Sequence, residues 1–269
     1  MISEQLYESL FPEDNEFDAT MSTIGLMYEH LDFAEMCKYY DIEQYNKSFA
    51  AHKKDILSIL HLNIRSVNKN GDEMSSIISS LMHQPDVIAV SESFLDSNSS
   101  SHFSLPNYVG YHSTREVQKR GGVSIFVRDY LITDLIEDFS YIHAEIEICT
   151  IRLKLAKTSY TISAIYRPRY KHSHVIEFRD KLAEILNHND FKKANTILIG
   201  DFNINLLEHA THANTGEFLN SIQALNYIPL ISRPTRFLRR AKCASIPTRP
   251  YLYKFPPSFN LWNISLRYN

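Results

Sequence analysis

Residues 196–207 read TILIGDFNINLL, an apolar run rich in β-branched side chains that halts at Gly200, and such a run reads as a buried strand. Asp201 and Asn203 then stand where that strand ends. In extended backbone, residues two apart share a face, so Asp201 and Asn203 are expected to point at one bound group and Phe202 into the core. A carboxylate placed there can orient a water and take its proton as it attacks, while an amide can stabilise the negative charge that grows on a phosphoryl oxygen. Gly200 gives the backbone room to turn. The competing reading is an Asx turn, in which Asp201 bonds its own backbone. The tetrapeptide alone leaves the two equally open.

Working outward, the chain alternates strand-like and helix-like texture from Asp55 onward. ILSILHLNI (56–64), DVIAVSESF (86–94), GGVSIFVRD (121–129), EIEICTIRLKL (145–155) and SYTISAIY (159–166) read as strands. EMSSIISSLMHQ (73–84), VIEFRDKLAEILNH (175–188) and TGEFLNSIQALNY (215–227) carry the amphipathic spacing of helices. Strands separated both by turns and by helices predict mixed sheets covered by helices, a layered α/β domain. No internal repeat and no glycine-rich phosphate loop interrupts it. Residues 1–54 contain helix-compatible pieces such as IGLMYEHLDFAEMCKYY (24–40) but no strand pattern, and read as an acidic leader, partly helical or loosely attached.

With 269 residues, 44% of them hydrophobic, the chain can fill one large core. Its three cysteines lie far apart without a C-x-x-C, which argues against a disulfide framework or a zinc ribbon and fits a reducing compartment. The acidic start lacks the pattern of a secretion signal, and no apolar run reaches membrane-spanning length, so a soluble intracellular protein is expected. The net charge of -3 conceals a gradient. Residues 1–55 hold twelve acids against four bases, whereas residues 218–269 hold eight bases and no acid.

Four strand ends carry polar groups: Asn63, Glu92, Tyr166, and the Asp201/Asn203 pair. Glu92 suits a hard divalent cation, since Mg²⁺ takes oxygen ligands and needs only one or two protein carboxylates. Asn63 can position that carboxylate or a metal-bound water. Tyr166 can donate to a phosphate oxygen, and Arg167, Arg169 and Lys171 beside it would attract a polyanion such as DNA. Each alone is better explained as a turn former, a half-buried aromatic or a solvated rim. Their order along successive strands is what makes them informative.

LSILHLNIRSVNKN (57–70), DVIAVSESFLD (86–96), GGVSIFVRD, ISAIYRP (162–168), ILIGDFNINLL (197–207) and LISRPTR (230–236) together resemble the apurinic-endonuclease-like domain of LINE-type retrotransposons, a branch of the endonuclease/exonuclease/phosphatase superfamily. The resemblance covers Asp55 to Phe237. It implies a four-layered α/β sandwich and a Mg²⁺- or Mn²⁺-dependent phosphodiesterase that nicks target DNA, within a polyprotein that also holds a reverse transcriptase. By position, Glu92 is the implied metal ligand, Asn63 its neighbour, Tyr166 a phosphate contact, Asp201 the residue that positions the attacking water, and Asn203 the transition-state stabiliser. Arg65 stands where many members of the superfamily place an acid.

The resemblance fails at the C-terminus. The family ends on a Ser-Asp-His with a partner Asp, but here no Asp follows Asp201 and no His follows His212. Residues 238–269 read as an irregular basic tail with scattered prolines. Codons can be chosen for residues 246–255 that, read one base later, encode Phe-Leu-Leu-Asp-His-Ile-Tyr-Thr-Asn, as the family has after its Pro-Thr-Arg. The expectation is therefore a truncation or frame change near Phe237, terminal strands missing, an aggregation-prone sheet edge, and weak or absent hydrolysis. The alternatives are a non-catalytic nucleic-acid-binding remnant and a phosphatase of the same superfamily.

Overall fold

The computed structural model describes residues 37–49, 57–116, 120–156, 158–169, 175–192, 195–227, 229, 251–253 and 262–267. In chain order these hold strands β1 (Cys37–Tyr39), β2 (Ser58–Asn63), β3 (Val87–Ser91), β4 (Tyr108–Ser113), β5 (Val123–Arg128), β6 (Ile132–Leu135), β7 (Tyr141–Ile142), β8 (Glu147–Lys154), β9 (Ser159–Tyr166), β10 (Asn195–Asp201), β11 (Tyr251–Tyr253) and β12 (Trp262–Arg267). The helices are α1 (Ile42–Phe49), α2 (Val67–Ser80), α3 (Ser97–His102), α4 (Val175–Leu186), α5 (Asn189–Lys192) and α6 (Ala213–Gln223).

Two mixed sheets result. The larger runs β1-β11-β12-β2-β3-β5-β4 and the smaller β10-β9-β8-β6, with β7 also on β8. The central strands are apolar on both faces, as strands covered on both sides must be. Alternation sorts their side chains into two layers. Ile59, Val87, Ala89, Ile125 and Val127 of the larger sheet face Cys149, Ile151, Ile162, Ala164 and Ile199 of the smaller one. On the outer face of the larger sheet, Leu60, Leu62, Ile88, Val90 and Phe126 pack on Val67, Met74 and Ile78 of α2. Ile148 and Ile165, on the outer face of the smaller sheet, meet Phe178 and Leu182 of α4 and Phe218 and Ile222 of α6. The layers are thus helix, sheet, sheet, helix, as the sequence predicts.

Three differences from the sequence reading have physical reasons. Residues 40–49 are no loose leader: Ile42, Tyr45 and Phe49 share one helical face, and Tyr45 and Phe49 are buried in the core. Asp41 and Gln44 cap the helix reciprocally, the Gln44 backbone N–H donating to Asp41 Oδ1 at 2.8 Å and the Asp41 N–H to Gln44 Oε1 at 3.1 Å. Asn46 ties it to the end of α2 through Ser80 O and the Met82 N–H. Cys37–Tyr39, inside the helix-compatible piece, is extended and pairs with β11. The tail is not irregular throughout either, because β12 runs parallel to β2 and covers its free edge. Residues 1–36 and the rest of the tail lie outside the described residues.

Candidate active site

β2 and β3 run parallel, with Asn63 opposite Ser91, and β9 and β10 run parallel, with Tyr166 opposite Asp201. The C-terminal ends of both pairs meet at one end of the sandwich, where the Asn63 amide joins the two sheets. Its Nδ2 donates to Glu92 Oε1 at 2.8 Å and to Asp201 Oδ2 at 2.7 Å. Three of the predicted residues, 138 positions apart at the extreme, are therefore in direct contact.

Around this bridge the backbone is strained. Arg65, Ser66, Glu92, Phe94 and Asn203 all have positive φ, between 52° and 102°. Non-glycine residues rarely adopt it, at roughly 1–3 kcal/mol each, and clusters of them mark functional sites. The turn after β3 is held by neighbours: Ser66 N–H donates to Glu92 O and Val67 N–H to Ser93 O, both at 2.8 Å.

Asp201 and Asn203 do converge, but not by strand alternation. β10 ends at Asp201, and Asn203 sits at φ 52°, so the two-residue period no longer applies. Both readings of the tetrapeptide hold at once. Asp201 Oδ1 accepts the Asn203 N–H at 3.1 Å in an Asx turn, while Oδ2 reaches Asn63. Asn203 Nδ2 donates to the Arg167 carbonyl at 2.8 Å. Phe202 packs into the outer core beside Phe178 and Phe218, as expected. Gly200 is required, because a Cβ there would lie 1.7 Å from the Ile165 carbonyl oxygen of β9.

Tyr166 closes β9 in register with Asp201 and is nearly buried between the sheets. Arg167, read from sequence as a rim residue for DNA, is instead buried. Its guanidinium donates from Nε to Phe202 O at 2.7 Å and from Nη2 to Asn203 O at 2.6 Å, so it clasps the loop after β10. Burial holds its pKa below the usual guanidinium value. Arg169 is exposed, and so are Arg65 and Arg120, on loops beside Asn63 and the turn after β3. Lys171 lies outside the described residues.

Two buried groups escaped the sequence reading. His61, one turn of the pleat below Asn63, lies 2.5 Å from Ser91 Oγ by its Nε2. Burial lowers its pKa to about 4, against a smaller opposing pull from Asp201. Glu147, at the start of β8, is fully buried and paired with Arg115, and burial pushes its carboxyl upward despite that partner. Nothing in EIEICTIRLKL singles out Glu147, since Glu145, Arg152 and Lys154 stand in the same run.

Asn63 Oδ1 provides a test of the expected cation. It is buried and accepts no hydrogen bond, and it belongs to the same side chain that touches Glu92. An orphaned oxygen beside a carboxylate is an all-oxygen donor set of the type Mg²⁺ prefers. Among the described residues no three His, Cys, Asp or Glu side chains gather as a metal cluster. The oxygen donors of Asn63 and Glu92 are of the kind that suits a hard divalent ion.

A sequence model of the Endonuclease/Exonuclease/phosphatase family matches residues 60–262, three quarters of the chain. The chain belongs to that family. No match was found among curated proteins. Similar solved structures include the 3'-5' exonuclease NExo from Neisseria meningitidis, at 14% identity over 62% of this chain and 70% of that one, with a TM-score of 0.43. The endonuclease domain of TRAS1, a telomere-specific non-LTR retrotransposon, shares 12% over 62% and 71%, with a TM-score of 0.48. An AP endonuclease from Archaeoglobus fulgidus shares 15% over 62% and 70%, with a TM-score of 0.46. The family match continues past Phe237, where the motif resemblance stops. Among the described residues no helix is long and apolar enough to cross a membrane.

Proposed function

We propose that the chain is a Mg²⁺- or Mn²⁺-dependent phosphodiesterase domain derived from a retrotransposon endonuclease, acting on DNA with a reduced rate. The observation that carries this reading is the Asn63 amide held between Glu92 and Asp201, with its own oxygen left without a donor. Glu92 and Asn63 Oδ1 would hold the ion, which when bound supplies positive charge to the phosphoryl group and its leaving oxygen. Asp201, fixed by Asn63 and by the Asn203 backbone, orients the water and takes its proton. Asn203 and Tyr166 stand next to Asp201 as donors for the phosphate oxygens. Arg65, Arg120 and Arg169 on the surrounding loops favour a polyanion.

The motif set at the flanks, NIRSVNKN and RPTR, supports the retrotransposon branch and a reverse transcriptase as neighbour in the ancestral polyprotein. Loss of one acid/base or oxyanion contact costs on the order of 10²- to 10⁴-fold in rate, so the acid-free stretch at 237–255, which stands where the family carries Leu-Asp-His-Ile, supports weak hydrolysis. It equally favours a second reading, a nucleic-acid-binding remnant without catalysis. The acid-free tail with its scattered prolines supports a frame change near Phe237. Sequencing the locus tests that part: a next frame without an open Leu-Asp-His-Ile continuation and a later Ser-Asp-His refutes it.

The functional test is plasmid nicking in Mg²⁺ by this chain, by Asp201→Ala, and by a form with the frame restored. Slow nicking that Asp201→Ala abolishes and the restored form accelerates is expected. Steeply salt-dependent DNA binding with no Mg²⁺-dependent nicking in either wild-type or restored protein would establish the second reading instead.

A further inference from the structure

Glu92 carries its carboxylate on a turn that has no helix or strand of its own to fix it, so the turn must be held from outside. One flank is the loop after β2 described above. The other is the Gly121–Gly122 turn before β5, whose carbonyls accept the Phe94 N–H at 2.8 Å and the Ser93 N–H at 3.1 Å. Both glycines have positive φ, 95° and 82°, and neither tolerates a side chain. A Cβ on Gly121 would lie 2.6 Å from Arg115 Nε and from Glu147 Oε1, and one on Gly122 would lie 2.6 Å from Ser93 Oγ. The glycine turn is therefore pressed between the Glu92 turn on one side and the Arg115–Glu147 pair on the other.

That pair fixes the turn across the sandwich. Glu147 Oε2 accepts the Gly122 N–H, and Oε1 accepts Arg115 Nε at 2.8 Å and Arg115 Nη2. Glu147 belongs to β8 of the smaller sheet, opposite Tyr166, whereas Arg115 and Gly122 belong to the connection between β4 and β5 of the larger one. One buried carboxylate thus sets the glycine turn, and the glycine turn sets residues 93 and 94. A buried ion pair adds little stability over apolar residues of equal volume, so stability alone does not account for it.

We propose that Arg115 and Glu147 are positioning residues that hold Glu92 in its cation-binding conformation. This rests on reading Glu92 as the cation ligand, and it extends the site by a layer that touches neither ion nor substrate. Partners of metal ligands commonly change metal affinity by about 10- to 100-fold when replaced.

The decisive protein is the full chain carrying Arg115→Met with Glu147→Met, which removes both charges together and leaves no buried charge unpaired. Glu147→Gln serves as the second variant should the double one fail to fold. Amide exchange followed by mass spectrometry reads the clasp directly, and Mn²⁺ binding followed by electron paramagnetic resonance reads its consequence. The folded variant is expected to melt close to wild type, to exchange the Ser93 and Phe94 amides at least about tenfold faster with residues 88–90 unchanged, and to bind Mn²⁺ about tenfold more weakly. Wild-type exchange at Ser93 and Phe94, or wild-type Mn²⁺ affinity, overturns the proposal. Glu92→Gln separates the two layers of reasoning. If it binds Mn²⁺ as wild type does, the assignment of the ligand is wrong; if it loses Mn²⁺ while the Met pair keeps it, only the positioning role is wrong.

Discussion

Removing the Asn63 side chain should reveal how strongly the two sheets are coupled at the site. Its Nδ2 makes two hydrogen bonds to carboxylates, at 2.8 Å and 2.7 Å, and bonds to charged partners contribute roughly 1.5–3 kcal/mol each. Glu92 and Asp201 are half-buried, so water recovers part of that loss and the lower end applies. Asn63 Oδ1 works in the opposite direction, since a buried unsatisfied oxygen costs roughly 1–3 kcal/mol that the substitution relieves. The balance predicts about 1 kcal/mol of destabilisation for Asn63→Ala in the absence of divalent ions. A double-mutant cycle with Asp201→Ala isolates the bond between the sheets, and its coupling is expected to be about 1.5 kcal/mol. Urea unfolding of the four proteins in EDTA measures it. Additivity within roughly 0.5 kcal/mol would show that Asn63 and Asp201 do not hold each other, and the proposed arrangement of the site would fall with it.

Gly200→Ala should be among the most damaging single-methyl changes, because the obstructing atom is a β9 backbone oxygen that cannot step aside. A loss of about 3 kcal/mol or more is expected, and a melting temperature within a few degrees of wild type would refute the close approach. His61 imposes a pH dependence whose sign follows from its depressed pKa of about 4. The unfolded chain binds the proton first, so stability is full above about pH 6.5 and falls as pH drops toward 4, by ~3 kcal/mol at about 1.4 kcal/mol per unit. His61→Asn should flatten that part of the curve, and an unchanged curve would mean the ring is not desolvated. Arg169→Ala should lower the salt slope of DNA binding by about 1, whereas Arg167→Ala should leave the slope alone and cost about 2 kcal/mol of stability. An equal drop in slope for both would return Arg167 to the DNA-facing rim.

Which strands exist was legible where both faces are buried. SYTISAIY matches β9 residue for residue, and the apolar runs read as ending at Asn63 and Glu92 match β2 and β3 within a few positions, β3 stopping at Ser91 so that Glu92 falls in the turn. What escaped were half-exposed segments. β4 and β6 carry mixtures such as YVGYHS and ITDL that no period separates from loop. The first turn of α2 was hidden by Gly71, which fits there because a Cβ would press on the Phe103 ring. Docking of α1 was obscured by the acidic composition around it, although Tyr45 and Phe49 already lay on one helical face.

The sequence by itself determined the layering and the chemistry on offer, since hydrophobic alternation is local and polar residues at the ends of apolar runs can be read one by one. Only the tertiary structure decided what those residues do to one another. Asn63 meets Asp201 from the other sheet, Arg167 turns inward onto carbonyls 35 and 36 positions away, and Glu147 reaches a glycine turn on the opposite sheet. Such contacts are set by how two sheets register at one end of a sandwich. That register depends on the packing of all the strands together, and no window of sequence contains it.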